Sequence, residues 1–141
     1  MTPSMTLCLL SAGGFLLTGM LLGVWKYHGV MTRPDHRAHI YVDMAHRAAL
    51  WYSFASIVLM TLAEHCAFAQ TVQLWAAGVT LFLFASALVS YIGHGVKQDT
   101  ENQFQQRNFT TTWSMYVLIA GEVGGVSVLL AGVVVGLRQG S

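Results

Sequence analysis

The sequence predicts an all-α integral membrane protein whose four transmembrane helices form an antiparallel up-down bundle. Four apolar runs occupy most of the 141 residues, and only 9% of the residues are charged, whereas a soluble domain carries roughly a quarter. A membrane-spanning helix needs about 20 predominantly apolar residues. Because only short connections remain between the runs, we expect one four-helix domain over residues 1–141 and no separate soluble domain.

The first predicted helix spans approximately residues 7–25, a run that contains no charged residue. A secretory signal peptide is the alternative, but Met1–Thr6 contains no Lys or Arg, and the apolar stretch is longer than a normal signal-peptide core. We therefore interpret this run as a membrane helix. Cys8 and Cys66 belong to no C-x-x-C or C-x-x-C-H pattern, so we expect packing roles for both rather than a disulfide or covalent haem attachment.

The second helix is predicted over approximately residues 45–65, the third over 73–94 and the fourth over 113–137. The connection before the second helix has helical spacing after Pro34. If this segment is helical, one face carries two imidazoles and a carboxylate at positions i, i+4 and i+7. The three residues of that face are His39, Asp43 and His46.

Glu122 is the only charged residue inside the fourth apolar run. An acidic residue at the centre of a membrane helix costs roughly 2.5 to 3.5 kcal/mol, so it should face the bundle, be paired or be neutral. One interpretation is a functional buried acid that binds a ligand or relays protons. The alternative is a structural pair with Tyr52, Arg47 or Lys26.

One side of the predicted bundle carries most of the histidines and cations. Five of the six histidines belong to, or border, the connections between helices one and two and between helices three and four: His28, His36, His39, His46 and His94. The Lys and Arg residues near the same connections are Lys26, Arg33, Arg37, Arg47, Lys97 and Arg107, against Arg138 alone on the other side. Since cytoplasmic loops carry the excess of Lys and Arg, this side is predicted to be cytoplasmic and both termini outside. We expect an integral protein of a bacterial inner membrane.

His46 is the histidine that the sequence singles out as a metal ligand. It stands where the second apolar run begins, and Ala49 and Ser53 follow it at helical spacing. These small side chains leave room for a flat, bulky group beside the imidazole, such as haem, whose iron neutral imidazole binds well. We predict that His46 binds iron and that Ala49 and Ser53 contact the cofactor, whereas His36 and His39 are interfacial.

Tyr91 lies near the end of the third predicted helix. Antiparallel packing would bring this end to the start of helix two, so Tyr91 and His46 are predicted neighbours. The alternative for Tyr91 is an aromatic anchor at the membrane interface, which is common at helix ends. His94, with Asp99, is interpreted as polar cover at the level of the lipid headgroups.

Taken together, these residues resemble the styrene oxide isomerase family of small four-helix membrane isomerases. The resemblance spans the chain and is carried by Gly23-Val24-Trp25 at the end of helix one, by Ala45-His46 and by Tyr91. The spacing between His46 and Tyr91 matches that between the family's haem-ligating His and its substrate-orienting Tyr. In one respect the chain departs from the family, because Trp51 occupies the position of an Asn that orients the substrate.

The resemblance implies a haem b in the membrane, with His46 as the axial ligand, an open ferric coordination position and Tyr91 as the orienting group. The implied reaction is Lewis-acid opening of an epoxide, followed by a 1,2-hydride shift that gives an aldehyde. Aromatic residues such as Trp51, Tyr52 and Phe54 would line the pocket. The expected partners are the lipid bilayer, a small apolar substrate and further copies of the chain, with a trimer as the family's usual oligomer. No nucleic-acid partner is expected.

Three other functions remain open at this point. A haem protein for electron transfer or sensing would need a second axial ligand, for which His28, His39 and His94 are available. A non-haem metal site would gather the His39, Asp43 and His46 face, with or without Glu122. A non-catalytic membrane subunit would use the same polar residues for packing against a partner.

Overall fold

The structure is a computed structural model that describes residues 1–102, 105 and 109–139. Over these residues the chain consists of four α-helices and contains no β-strand, which confirms the all-α prediction. The helices are α1 (Pro3–Thr32), α2 (Ile40–His65), α3 (Gln70–Lys97) and α4 (Phe109–Gln139). Three of them are long and apolar enough to cross a membrane: α1, α3 and the Thr112–Gln139 part of α4.

Helix α1 extends beyond its apolar run at both ends. At the start, Thr2 is the N-cap, its hydroxyl accepts a hydrogen bond from the backbone N–H of Met5, and Pro3 occupies the first turn, where its missing N–H costs nothing. At the other end the helix continues to Thr32. Pro34 follows two residues later and disfavours helical geometry in the residue before it, which explains the termination.

Helix α2 begins at Ile40, so the prediction that helical structure follows directly after Pro34 is wrong for residues 35–39. His36 has a φ of 50°, in the left-handed region. His39 is the N-cap, with extended backbone and an Nδ1 atom that accepts a hydrogen bond from the backbone N–H of Tyr41, 3.3 Å away. The imidazole therefore accepts a hydrogen bond from a backbone N–H group of the first helical turn, as capping side chains do.

Helices α1 and α2 pack along their length in opposite directions. Gly19 lies against Leu50, and Gly23, one turn further along α1, lies against His46, one turn earlier in α2. A Cβ at Gly19 would lie 2.7 Å from Cδ2 of Leu50. The Gly19-x-x-x-Gly23 pattern thus permits the close approach of the two backbones, as small residues do at helix contacts in membranes.

The remaining helices continue the antiparallel order. Across α2 and α3, the rings of Tyr52 and Phe84 stack with centroids 4.3 Å apart, and those of Tyr41 and Tyr91 lie 6.2 Å apart. Across α3 and α4, the close pairs are Leu83 with Gly121 and Thr80 with Gly125. Helices α2 and α3 therefore form the centre of the bundle, and each flanking helix, α1 or α4, contacts both of them.

The outer helices leave a large apolar surface. Among the described residues, α1 and α4 do not contact each other, and the described side chains of α4 are mostly exposed, with Leu129 and Gly132 as its buried positions. A shallow groove of about 540 Å³ runs along the seam between α1 and α3 and is lined mainly by apolar side chains. Such surfaces suit contact with a lipid bilayer rather than water.

A group of buried hydrogen bonds around Gln73 joins the helices at the end of the bundle opposite His46. The amide nitrogen of Gln73 donates hydrogen bonds to the carbonyl oxygens of Cys66, at 3.0 Å, and Phe68, at 2.8 Å. Its amide oxygen accepts a hydrogen bond from Ser4 at 3.1 Å. Cys66 and Cys8 are buried and free, which agrees with the packing role predicted for both.

Candidate functional site

The imidazole of His46 is held between α2 and α1 by a hydrogen bond across the helix contact. Its Nδ1 atom donates to the backbone carbonyl oxygen of Gly19 over 2.8 Å. A carbonyl oxygen only accepts hydrogen bonds, so Nδ1 carries the proton. In neutral imidazole the other nitrogen, Nε2, then holds a lone pair.

This arrangement is the one that metal-ligating histidines use, in which the non-ligating ring nitrogen donates to a carbonyl or carboxylate and so fixes the tautomer and the ring orientation. Within the part of the chain that the structure describes, Nε2 of His46 makes no hydrogen bond. The side chain is half-buried. His46 can therefore provide one axial ligand to iron.

Gly23 has no side chain and so leaves the space in which the imidazole of His46 packs against α1. A Cβ at this position would lie 3.0 Å from Cε1 of His46 and 3.3 Å from its Nδ1. Any larger residue would press on the ring at the edge that makes the hydrogen bond. The same Gly-x-x-x-Gly pattern thus supplies both the hydrogen-bond acceptor, at Gly19, and the space.

A charged cluster borders His46 at the end of α1. Lys26 Nζ lies 2.6 Å from Oδ1 of Asp43, and Arg47 Nη2 lies 2.9 Å from Oδ2 of the same carboxylate. The hydrogen bond from Lys26, together with the positive charges of Lys26 and Arg47, lowers the pKa of Asp43, although partial burial opposes this shift. Asp43 precedes the apolar run of α2, and its carboxylate joins α1 to α2 immediately before His46.

Ala49 and Ser53, predicted to contact a cofactor, are buried within the chain. Ala49 is fully buried and shares an apolar core with Leu22 of α1, and Ser53 is 7% exposed. Protein atoms therefore occupy most of the space beside these small residues.

The aromatic residues predicted to line a pocket have different surroundings. Trp51 is 72% exposed and Phe54 66% exposed, and their rings contact each other on the outer surface of α2. Tyr52 points inward and stacks on Phe84. Of these three aromatic residues, Tyr52 alone points into the interior of the chain.

Tyr91 packs against Tyr41 on α2 rather than against His46. Among the described residues, no ring contact joins Tyr91 to His46, whose imidazole faces α1. Within the described residues of one chain, His46 and Tyr91 therefore contact different neighbours.

Glu122 projects from the inner side of α4, between the close contacts that Gly121 and Gly125 make with α3. Its Oε1 atom is buried and has no hydrogen-bond partner among the described residues. Lys26 and Arg47, considered as partners from the sequence, both pair with Asp43 instead.

The other histidines of the same side are engaged or exposed. His39 caps α2, and the Nδ1 atom of His94 lies 3.0 Å from Oδ1 of Asp99. The hydrogen bond with His94 lowers the pKa of Asp99. His28 and His36 are exposed. Arg107, counted with the cations of this side, lies outside the described residues.

The predicted non-haem metal face does not assemble. His39 precedes α2, and both carboxylate oxygens of Asp43 are engaged by cations. Over the described residues, no group of three or more His, Cys, Asp or Glu side chains is placed to hold a metal ion.

Sequence reasoning missed two features of the site. One is the use of a backbone carbonyl, Gly19, as the partner of His46, for which the Gly19-x-x-x-Gly23 pattern was the available signal. The other is the pairing of Lys26 with Asp43, which the shared membrane-boundary position of the two residues could have indicated.

Comparisons of the chain with protein-family models, curated proteins and solved structures found no match. The resemblance to the styrene oxide isomerase family therefore depends on the residues themselves, and no homologous chain supports it.

Proposed function

We propose that the chain is a membrane-embedded haem b protein, an isomerase that converts a small apolar epoxide into an aldehyde, with His46 as the axial ligand. The observation that carries the proposal is the hydrogen bond from Nδ1 of His46 to the carbonyl oxygen of Gly19. It leaves Nε2 as the lone-pair donor and orients it.

The residues around His46 fit a haem bound at the edge of the chain better than one enclosed by it. Ala49 is buried in the core, whereas His46 is half-exposed and Trp51 on the same helix is open to the outside. The proposal therefore includes a homo-oligomer, with a trimer as the family's usual form, in which the cofactor lies near subunit contacts.

Each residue near His46 has a defined task in this proposal. Gly19 holds the imidazole tautomer and makes the ligand more basic, as carbonyl partners of ligating histidines do. Gly23 leaves room for the ring, and the apolar surface of the helices admits an apolar substrate from the bilayer while excluding water. When bound, ferric haem supplies the Lewis acidity that opens an epoxide.

The proposed topology places all four helices across the membrane. Helix α2 is not among the three most apolar helices, but its 26 residues extend about 39 Å and pack along α1. A helix paired in this way with a spanning helix shares its depth. The excess of Lys and Arg then places the His46 end in the cytoplasm.

The visible absorption spectrum of detergent-purified protein tests the proposal. We expect a Soret band in the wild type and its loss in His46→Ala. His65→Ala is a matched control, because His65 also donates from Nδ1 to a carbonyl oxygen, that of Thr61 at 3.0 Å, but at the opposite end of the bundle. This variant should keep the band.

The spectrum also separates the proposal from its alternatives. A high-spin ferric spectrum, together with conversion of styrene oxide to an aldehyde, would support an open catalytic position. A six-coordinate low-spin spectrum would indicate a second axial ligand and contradict the isomerase. A wild type without a Soret band after expression with haem supplied would overturn the haem proposal.

A further inference from the structure

The groove between α1 and α3 is closed at both ends by contacts between the two helices. At one end, a Cβ at Gly78 would lie 3.8 Å from Cδ2 of Leu7. At the other end, a Cβ at Gly95 would lie 3.3 Å from Cη2 of Trp25. These two contacts are about 26 Å apart along the helices. The open side of the groove is therefore its long side, on the surface of two helices that are apolar enough to cross a membrane.

The groove has the size of a small-molecule site. Its volume is about 540 Å³, within the roughly 300–1,000 Å³ of ligand pockets. The buried side chains of Phe15, Leu81 and Leu88 are part of its lining. Along α1 the lining extends from Leu7 to Thr18, about 17 Å. Such a site suits an elongated, largely apolar molecule.

Two hydroxyl groups of α1 line this otherwise apolar groove, and they differ in their hydrogen bonds. The hydroxyl of Thr18 donates to the backbone carbonyl oxygen of Gly14, 2.8 Å away. The hydroxyl of Ser11, in contrast, has no hydrogen-bond partner in the part of the chain that the structure describes. A hydroxyl among apolar groups is costly to leave without a partner, so Ser11 can donate to a molecule in the groove.

The chemistry of the lining favours a neutral occupant. Among the described residues, no charged side chain lines the groove, so an ionised molecule would lose its hydration there without a counter-charge. A carbonyl oxygen accepts hydrogen bonds and donates none. It therefore complements the hydroxyl hydrogen of Ser11.

We propose that the α1–α3 groove is a second binding site, which takes a neutral, elongated apolar molecule that carries a carbonyl group. The carbonyl oxygen accepts a hydrogen bond from Ser11, and the rest of the molecule packs on the apolar lining. The imidazole of His46 contacts Gly19 and Gly23, neither of which lines the groove. The site therefore goes beyond the proposed haem function and does not depend on it.

Isothermal titration of the full chain in nanodiscs with methyl hexyl ketone, and separately with octane, tests this site. The two probes share the carbon chain and differ in one carbonyl oxygen, and the heat measured with empty nanodiscs is subtracted. We expect saturable binding of the ketone, about 5-fold tighter than that of octane, which is the contribution of one neutral hydrogen bond. Equal affinity for the two probes would overturn the proposal.

Leucine at Gly14 should fill the groove, and leucine at Gly13 is the matched control. Both glycines are exposed, and a Cβ at either would meet no atom within 4 Å, but only Gly14 lines the groove. Thermal unfolding midpoints show that both variants fold. We expect Gly14→Leu to abolish saturable ketone binding and Gly13→Leu to retain it. The same ketone affinity in both variants would place the binding elsewhere and contradict the proposal.

Ser11→Ala tests the hydrogen bond. This variant removes the hydroxyl and leaves the groove open, so the ketone should bind about 5-fold more weakly while octane binds as before. Thr18→Val is the control, because the hydroxyl hydrogen of Thr18 is already donated to Gly14, and it should keep the preference for the ketone. An undiminished preference for the ketone in Ser11→Ala would show that Ser11 is not the donor.

Two other occupants, a lipid acyl chain and a helix of a second copy, give different results in the same experiments. Ketone heats no larger than those of empty nanodiscs would mean that lipid fills the groove, and the proposal would be wrong. A changed oligomeric state in Gly14→Leu with unaltered ketone affinity would make the groove a subunit contact and would also contradict it.

His46→Ala separates the groove from the proposed haem site. This variant should lose the Soret band and still bind the ketone, whereas Gly14→Leu should keep the band and lose ketone binding. Loss of ketone binding in a folded His46→Ala protein would contradict two separate sites.

Discussion

His46 and Gly19 are joined by a hydrogen bond of 2.8 Å from the imidazole Nδ1 to the backbone carbonyl oxygen. The bond couples the proposed ligand to the packing of α1 on α2, because the acceptor is exposed to the imidazole only while the two backbones remain close. A change at the glycine contact should therefore alter both stability and cofactor binding.

Gly23→Ala tests this coupling. The new Cβ would lie 3.0 Å from Cε1 of His46, so the imidazole must move and its hydrogen bond to Gly19 weakens. We expect the free energy of unfolding to fall by about 1–3 kcal/mol, as for other overpacked contacts, and the Soret band to shift or weaken. Thermal unfolding in detergent and the absorption spectrum measure the two effects.

Gly13→Ala is the control for this prediction. Gly13 is in the same helix, and a Cβ there would meet no atom within 4 Å. Alanine should stabilise the helix by roughly 0.5–1 kcal/mol and leave the spectrum unchanged. If Gly23→Ala behaves like Gly13→Ala, the glycine contact does not position His46.

The position of His46 shows how far the sequence predicts the site. Hydropathy predicts the four helices because each apolar run is long, and it singles out His46 as a candidate because the residue begins such a run and is followed by small side chains. The spacing of the residues does not determine how α2 is rotated about its own axis. That rotation follows from the approach of α1 at Gly19 and Gly23, which places His46 against α1.

The start of α2 could not be predicted for a different physical reason. Spacing after Pro34 is compatible with a helix, but the backbone there follows local hydrogen bonds instead. His39 binds the N–H of Tyr41 through its side chain, and His36 adopts left-handed geometry. Imidazole is an uncommon capping group, so composition gave no indication of this end.

Asp43 makes the stability of the α1–α2 contact depend on pH. Lys26 and Arg47 lower its pKa in the folded protein, below the unfolded value of about 3.9. The stabilising contribution is therefore complete above the unfolded pKa and is lost as the pH falls through the folded pKa. We expect Asp43→Asn to lower stability by about 1 kcal/mol at neutral pH, and the difference from wild type to shrink on acidification.

Unfolding midpoints measured between pH 7 and pH 3 in detergent check this expectation. Asp35→Asn is the control, because Asp35 is more exposed and its nearest cation, Arg33, is 3.6 Å away. It should differ little from wild type at any pH. A constant gap between Asp43→Asn and wild type across the range would show that the carboxylate does not contribute through its charge.

Gln73 and Gln70 form a matched pair in the first turn of α3. Gln73→Leu removes the donor for the carbonyl oxygens of Cys66 and Phe68 and leaves them buried without partners. Since each such group costs about 1–3 kcal/mol, we expect a loss of about 2 kcal/mol or more in the free energy of unfolding.

Gln70→Leu should have the opposite sign. The Nε2 atom of Gln70 is buried and has no hydrogen-bond partner among the described residues, so replacing the amide by an apolar side chain removes an unsatisfied group. Thermal unfolding of the two variants, compared with wild type, measures the difference. Equal destabilisation by both would mean that the loss of glutamine volume, and not the hydrogen bonds, sets the stability of this end.

Gly124 and Gly125 are neighbours in α4, and only one of them faces α3. A Cβ at Gly125 would lie 2.6 Å from the carbonyl oxygen of Ala76 and would also press on the hydroxyl of Thr80, whereas a Cβ at Gly124 would meet nothing within 4 Å. Thr80 already donates its hydroxyl hydrogen to Ala76, at 2.9 Å. Gly125→Ala must therefore push the α4 backbone away from α3, because a backbone carbonyl cannot move aside as a flexible side chain can.

We expect Gly125→Ala to cost about 1–3 kcal/mol and Gly124→Ala to stabilise α4 by roughly 0.5–1 kcal/mol. Thermal unfolding of both variants in detergent tests the two effects. If Gly125→Ala is as stable as Gly124→Ala, the two helices do not meet at Gly125.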